Sequence, residues 1–112
     1  DPRSPATGAR ERGPVMVLIE YRVAPQHADA FIRALSAFSS VRKRDGAYRW
    51  GVFRDVAAND LIVESFIIAS WHEHLRQHER ATHDDRRAQM GLQRFLIENT
   101  SPIIRHLIAP EV

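Results

Sequence analysis

The sequence predicts an α+β protein whose six elements follow the order β-α-β-β-α-β. Segments 15–23 and 47–54 alternate along the chain as half-buried strands do, and segments 61–69 and 103–109 are short apolar runs rich in isoleucine. The two longer segments between these strands place apolar residues at helical spacing. With right-handed crossovers, this order is the ferredoxin-like arrangement, in which both helices cover one face of a four-stranded sheet.

The first strand and the first helix are each defined by the spacing of their apolar residues. In the strand, every second residue is β-branched or aromatic and shares one face: Val15, Val17, Ile19, Tyr21 and Val23. The helix begins near Pro25, which suits a first turn, and ends at Asp45-Gly46, where glycine commonly terminates a helix. Its predicted buried stripe consists of Phe31, Leu35 and Phe38, with Ala34 and Val41 beside it.

A hairpin follows, with its two strands separated by the polar turn 55–60. In its first strand the alternation of Tyr48, Trp50 and Val52 predicts that these three side chains share a face. The second strand, 61–69, is apolar on both sides apart from Glu64 and Ser65, which is typical of a central strand covered on both faces.

The second helical region has two start signals. Ser70 and Glu73 have capping-box spacing and predict a helix from Trp71, and Thr82 with Asp85 indicates a break and a second helical piece. That piece has a predicted buried stripe of Ala88, Leu92, Phe95 and Leu96. The turn 100–102 then leads into the last strand.

The face of the sheet away from the helices is predicted to be apolar as well, with Leu18 and Phe66, or their immediate neighbours, pointing out from the central strands. A patch of that size is unfavourable in water. We therefore expect a homodimer in which two sheets pack face to face.

Length and composition limit the number of domains and the kinds of chemistry and partner that this chain can have. The 112 residues suffice for one domain, 14–112, preceded by a proline- and glycine-containing linker or tail at 1–13. The absence of cysteine excludes disulfides and thiol chemistry. The sixteen basic residues, all arginine except Lys43, are scattered among fourteen acids, so we expect no nucleic-acid partner. The densest basic run, 42–44, falls at the predicted helix end, where cations complement the helix dipole.

The densest polar segment, 70–87, contains the candidate catalytic residues Trp71, His74 and His78. The two histidines are four residues apart on one helix face, which is a spacing that a metal ion can bridge. No third ligand accompanies them in a known motif, so we expect no metal and no cofactor. His106, within the last strand, is a weaker acid-base candidate.

The same three residues and three others form the candidate ligand-binding set: Tyr48, Trp50, Glu64, Trp71, His74 and His78. Aromatic residues of this size are otherwise expected in the core or at a dimer interface. Glu64 lies in the middle of an apolar strand and must find a partner, for which Arg49 or Arg22 is expected. No glycine-rich phosphate loop or nucleophile elbow is present, which leaves hydrolase and nucleotide-binding functions without support.

Four stretches resemble one known domain across nearly all of the chain from residue 13. They are GPVMVLIEYRVAP (13–25), VRKRDGAYRWGVFRD (41–55), ESFIIASWHEHLRQHERATHDDR (64–86) and IRHLIA (104–109). The domain is the soluble C-terminal part of bacterial major facilitator superfamily permeases called transmembrane secretion effectors or enterobactin-exporter-like transporters. Since the chain begins at Asp1, we expect it to follow a membrane-embedded N-terminal part, on the cytoplasmic face of the inner membrane, as a soluble piece.

This domain is similar in fold to the antibiotic-biosynthesis-monooxygenase group of dimeric α+β barrels. Haem-degrading members of that group use an asparagine, a tryptophan and a histidine. Trp71 and His78 resemble the last two, but strand 15–23 contains no asparagine. Two functions follow. The first is a dimerising accessory or regulatory domain of an efflux transporter that binds the exported small molecule. The alternative is a small cofactor-independent monooxygenase acting on an aromatic or quinone-type substrate. The absent asparagine favours the non-enzymatic function, and the shared fold does not transfer activity, because one fold hosts many functions.

Overall fold

The computed structural model describes residues 13–72 and 83–110, with side chains in the last helix described from residue 86 onward. Its elements are the strands β1 (Val15–Arg22), β2 (Tyr48–Arg54), β3 (Leu61–Ile68) and β4 (Ile103–Ile108), and the helices α1 (Ala28–Arg44) and α2 (His83–Leu92). Single 3-10 turns at Pro25–His27 and Gln93–Phe95 precede α1 and follow α2. Trp71 and His72 are also helical. The ferredoxin-like α+β fold is confirmed.

The four strands form one antiparallel sheet in the order β2-β3-β1-β4. The two central strands are therefore β3 and β1, in agreement with the apolar composition of β3 on both sides. Val17 in β1 lies opposite Phe66 in β3 and His106 in β4, and this register fixes which side chains share a face.

One face of the sheet, called the inner face below, forms the core together with α1. Alternate residues of β1 and β3 are buried there, and the α1 stripe of Phe31, Leu35 and Phe38 packs against them as predicted. The Phe31 ring meets Tyr21 edge-on at 5.0 Å and Phe95 at 5.9 Å. In α2 the predicted stripe is wrong at Ala88, which is exposed, whereas Leu92 is buried and Phe95 is half-buried.

The end of α1 is fixed by backbone geometry at Gly46, which has a φ of 100°. The Gly46 amide donates to the Lys43 carbonyl at 3.0 Å, and the Ala47 amide donates to the Arg42 carbonyl at 2.9 Å. These two bonds form a Schellman motif, in which a residue with positive φ lets the chain reverse while the last carbonyls stay bonded. The predicted glycine terminator is thus confirmed.

A β-bulge in β2 overturns the prediction that Tyr48, Trp50 and Val52 share a face. Tyr48 pairs with Ile67 and Gly51 pairs with Ser65, so two residues of β2 stand opposite Phe66 alone. Arg49, with a φ of 54°, is the first of those two residues. The inserted residue shifts the alternation by one position. Tyr48 therefore points to the side of the sheet opposite the one occupied by Trp50 and Val52.

The side of the sheet away from α1 is called the open face below. Its side chains follow from the register in three full rows and one partial row across the sheet. They are Tyr48, Ile67, Met16 and Leu107; then Gly51, Ser65, Leu18 and Arg105; then Phe53, Val63, Glu20 and Ile103; and finally Leu61 and Arg22. Leu18 lies on this face as predicted, and in β3 the immediate neighbours of Phe66, Ser65 and Ile67, occupy it in place of Phe66. The register with Val17 turns Phe66 into the core, where it is buried.

The open face is apolar for much of its area although no described element covers it. The exposed fraction of the side-chain-bearing residue is 61% for Phe53, 57% for Ile103 and 44% for Tyr48.

None of the helices within residues 13–72 and 83–110 is long and apolar enough to span a membrane. The predicted start residues Glu73 and Thr82 lie outside the described residues, as does the side chain of Asp85.

Candidate functional site

Glu64 is the only charged residue in the core formed by the described residues, and its side chain is fully buried. Three side chains donate hydrogen bonds to it. The Tyr21 hydroxyl donates to Oε1 at 2.8 Å, and the Trp50 indole donates to Oε2 at 2.8 Å. Arg42 donates twice, from Nε to Oε2 at 3.0 Å and from Nη2 to Oε1 at 3.1 Å. Tyr21, Arg42, Trp50 and Glu64 are called the carboxylate cluster below.

Each member of the carboxylate cluster comes from a different element. Tyr21 is on β1, Arg42 is in the last turn of α1, Trp50 is at the bulge of β2, and Glu64 is in the middle of β3. The bulge is what directs the Trp50 indole to the inner face, where the carboxylate lies. The cluster therefore joins the C-terminal end of α1 to three strands of the sheet.

The Arg42 guanidinium is held on several sides at once. Its central carbon lies 4.7 Å from the Phe38 ring centroid and 5.1 Å from the Phe66 ring centroid, within the range of cation–π attraction. Together with the bidentate pair to Glu64, this fixes the planar group in one orientation. The side chain remains 18% exposed, so the ion pair reaches the surface at one side.

These contacts correct two predictions. The partner of Glu64 is Arg42, whereas Arg22 pairs with Asp60 at 2.9 Å and Arg49 is exposed at the bulge. The basic run 42–44 is also more than a set of cations at a helix end. Arg42 turns into the core, and Arg44 pairs with Asp45 at 3.3 Å.

The carboxylate cluster has little capacity left for proton transfer. A carboxylate offers about four acceptor positions, and the two oxygens of Glu64 receive four hydrogen bonds. Burial, with the adjacent Glu64 charge, raises the pKa of the Tyr21 hydroxyl far above its ordinary value. Tyr21 therefore stays protonated and donates. The arrangement suits the joining of elements better than acid-base catalysis.

A second pair of rings lies on the inner face, at the edge strand β4. His106 lies opposite Val17 on the edge strand β4, and the Trp71 ring meets the His106 ring edge-on at 4.8 Å with an interplanar angle of 84°. Trp71 is buried, whereas His106 is exposed. An indole beside an imidazole can form one wall of an aromatic binding site.

The structure places the predicted site residues in three locations. Trp50 and Glu64 meet in the carboxylate cluster, Trp71 lies across the inner face beside His106, and Tyr48 lies on the open face. His74 and His78 lie outside the described residues. Among residues 13–72 and 83–110, no three metal-ligating side chains converge.

Sequence reasoning missed Tyr21 and Arg42 as members of the cluster, although both carried a signal. Tyr21 belongs to the alternating buried set of β1. Arg42 follows Phe38 by four residues and continues the stripe of Phe31 and Leu35 at positions where a helix keeps facing the core. A basic residue on a buried stripe and an acidic residue in a buried strand are natural partners.

Comparison with known proteins identifies the fold and the family of this chain. The chain is similar to a crystal structure named as a candidate antibiotic biosynthesis monooxygenase from Caulobacter crescentus, with 18% identity and a TM-score of 0.73 over 91% of this chain and 94% of that one. It is also similar to a conserved protein from Methanosarcina mazei, with 15% identity and a TM-score of 0.71 over 90% and 97% of the two chains.

A third similar structure is a point variant of SnoaB, a cofactor-independent oxygenase from Streptomyces nogalater. It has 13% identity and a TM-score of 0.68 over 88% of this chain and 95% of that one. At such identities the likeness shows the fold alone. A search among curated protein sequences found no significant match. The family model described as transmembrane secretion effector matches residues 3–112. The chain therefore belongs to the transmembrane secretion effector family.

Proposed function

We propose that this chain is an accessory domain of a membrane efflux transporter of the major facilitator superfamily, attached to an N-terminal transmembrane part and lying on the cytoplasmic face of the membrane. The observation that carries the proposal is the match of the secretion-effector model to residues 3–112. The match extends through both central strands, α1, α2 and β4, so the whole fold is part of what the family shares.

The domain acts by dimerising through the open face. Burial of apolar surface is the main driving force for association, and a contiguous exposed apolar patch marks an interaction site. Met16, Phe53 and Ile103 lie on different strands of the same face, so the patch spans the sheet. A second copy of the chain presents the same patch, and two such faces cover each other.

A small exported molecule is the ligand that the inner face suits. The Trp71–His106 pair offers an aromatic wall that includes a polar imidazole ring, and the core residue Val17 lies opposite His106. Sites for small molecules combine apolar walls with a few polar groups in this way. Binding at this wall would link the presence of the exported compound to the state of the dimer.

The first test is the size and location of the native protein, detected in fractionated cells with an antibody against this domain. The proposal expects a membrane-bound band several times larger than the 12.8 kDa of this chain. A band near 12.8 kDa in the soluble fraction would overturn it. For the dimer, sedimentation equilibrium of the chain at high micromolar concentration is the direct measurement, and a monomer at that concentration would contradict the pairing.

The second candidate function is a small cofactor-independent monooxygenase acting on an aromatic or quinone-type substrate. It is favoured by the likeness in fold to a cofactor-independent oxygenase and by the position of Trp71 beside His106. Its test is dioxygen uptake with a panel of hydroquinones. Uptake that falls in His74→Ala and His78→Ala supports this function at the predicted site, and uptake that these changes leave unaltered rules out that site.

A further inference from the structure

Two opposite charges on the open face make no ion pair within the described residues, whereas a third charged residue on this face, Arg22, pairs with Asp60. Glu20 is half-buried on the central strand β1, and Arg105 is exposed on the edge strand β4. The register pairs Leu18 with Arg105 and Glu20 with Ile103, so the two charges are diagonal neighbours on one face. Diagonal neighbours are about 7–8 Å apart, a distance that a long arginine side chain can span.

Despite this proximity, the two side chains do not pair within the chain. The ion pairs among the described residues join Arg22 to Asp60, Arg42 to Glu64, Arg44 to Asp45 and Arg54 to Asp29. Neither Glu20 nor Arg105 makes a salt bridge or a side-chain hydrogen bond within the part of the chain that the structure describes. Two unpaired charges on a largely apolar face would be costly to cover with an apolar partner.

We infer that Glu20 and Arg105 form two reciprocal ion pairs between the subunits of a sheet-to-sheet homodimer and so fix how the two sheets are oriented. This inference rests on the dimer proposed above. In a two-fold symmetric pair, when one residue of a chain faces a second residue of the partner, the reverse contact also forms. One ion pair therefore implies two, and each subunit has neutralised the two open-face charges that are unpaired among its described residues.

The rows of the open face permit this arrangement. Strands lie about 4.8 Å apart and alternate residues about 6.8 Å apart along a strand. On such a grid, the perpendicular bisector of the line that joins Glu20 to Arg105 passes over the centre of the four-stranded sheet. A two-fold axis along this line sets Glu20 over Arg105 of the partner subunit while the two sheets overlap fully. The strands then cross steeply, near the orthogonal class of sheet packing.

The same axis brings apolar residues together. Met16 comes to lie over the partner's Phe53 and Val63, and Tyr48 and Ile103 each lie near the axis, beside their own copies. The ends of the interface are therefore closed by large apolar side chains, and the charges are neutralised between them. Arrangements rotated away from this one would set Glu20 against apolar residues and leave it without a partner, which disfavours them.

The test uses two charge-reversal variants, Glu20→Arg and Arg105→Glu. In a homodimer of either variant, like charges face each other twice, so we expect self-association to weaken at least about tenfold relative to the unmodified chain. When the two variants are mixed, each arginine of one chain faces a glutamate of the other. Native mass spectrometry and sedimentation of the mixture should then show a heterodimer with near-normal affinity. Far-UV circular dichroism of each variant alone verifies that both fold.

The outcomes separate the inference from the dimer on which it rests. If both variants dimerise as tightly as the unmodified chain, or if the mixture gives no preference for heterodimer, the reciprocal pairing is wrong although the dimer stands. The double variant Glu20→Arg/Arg105→Glu carries both reversed charges in one chain. If it alone dimerises with normal affinity and the mixture shows no preference for heterodimer, the two charges pair within one chain and the reciprocal pairing is wrong. If the unmodified chain stays monomeric, the proposed dimer itself is overturned.

Discussion

Replacing the buried carboxylate by its neutral isostere, Glu64→Gln, tests whether the carboxylate cluster joins α1 to the sheet. The amide keeps one acceptor oxygen, which can retain the bonds from Trp50 and from Arg42 Nε. Its NH2 group replaces Oε1, to which Tyr21 and Arg42 Nη2 donate. The Tyr21 hydroxyl can turn and accept a bond, but a guanidinium has no acceptor.

The expected cost follows from that inventory. One hydrogen bond to a charged group is lost, which costs about 1.5–3 kcal/mol, and Arg42 loses its counter-charge. Breaking a fully buried ion pair costs about 3–5 kcal/mol. Because Arg42 is 18% exposed and water can reach one side of it, we expect a total loss of about 2–4 kcal/mol in the free energy of unfolding.

The assay is equilibrium urea unfolding followed by far-UV circular dichroism, with every variant at the same chain concentration because dimerisation would shift the midpoint. The matched control is Glu98→Gln, an identical substitution at an exposed position, which should change stability by less than about 0.5 kcal/mol. The double variant Glu64→Gln/Arg42→Met should lose less than the sum of the single changes, since it removes the charge left without a partner. A loss below about 1 kcal/mol for Glu64→Gln, or additivity in the double variant, would refute the reasoning.

Three further predictions concern the core, the helix end and the pH dependence. Burial keeps the Tyr21 hydroxyl protonated in the folded state even above the ordinary phenol pKa near 10. Only the unfolded state releases this proton, so the free energy of unfolding falls as pH rises past about 10. In Tyr21→Phe this fall should be smaller, as measured by unfolding from pH 8 to 11. Leu35→Ala should cost about 2–5 kcal/mol in urea unfolding because it empties a fully buried position, whereas Val56→Ala on the exposed turn should change little. Gly46→Ala should lower the thermal midpoint, at a cost of about 1 kcal/mol, because φ is positive there; Gly91→Ala, in α2 with open space around it, should raise the midpoint.

The order of elements was predictable because it depends on periodicity, which a short window of sequence contains. The faces of β2 are not given by periodicity, because one inserted residue reverses the alternation. The isolated Gly51 inside the strand pattern is a signal for such a bulge, but it does not say which residue is inserted. The same limit applies to β3, where the pattern leaves open whether Phe66 or its immediate neighbours take the open face, and the register with Val17 turns Phe66 inward. Register depends on pairing between strands distant in sequence, so it is available only once the sheet is formed.

The partner of Glu64 shows where sequence reasoning about charges fails. Sequence proximity and strand pairing favoured Arg49 and Arg22, which the hairpin and the first strand bring near β3. The arginine that reaches the carboxylate, Arg42, is on a helix packed across the sheet, and it was assigned to the helix dipole instead. Position 42 continues the apolar stripe of α1, so the helical spacing indicated that Arg42 faces the core, which the charge of the run 42–44 alone did not.

Arg42 has a consequence for how this domain can change over evolutionary time. A lysine cannot reproduce the bidentate pair or the planar contact with Phe38 and Phe66, so exchange of one cation for the other is not neutral at this position. An apolar residue in place of Glu64 becomes tolerable only when Arg42 is replaced as well, because a well-packed apolar pair can substitute for a buried ion pair but an orphaned charge cannot remain. Among related domains, we expect the two positions to vary together, either as acid and arginine or as two apolar residues.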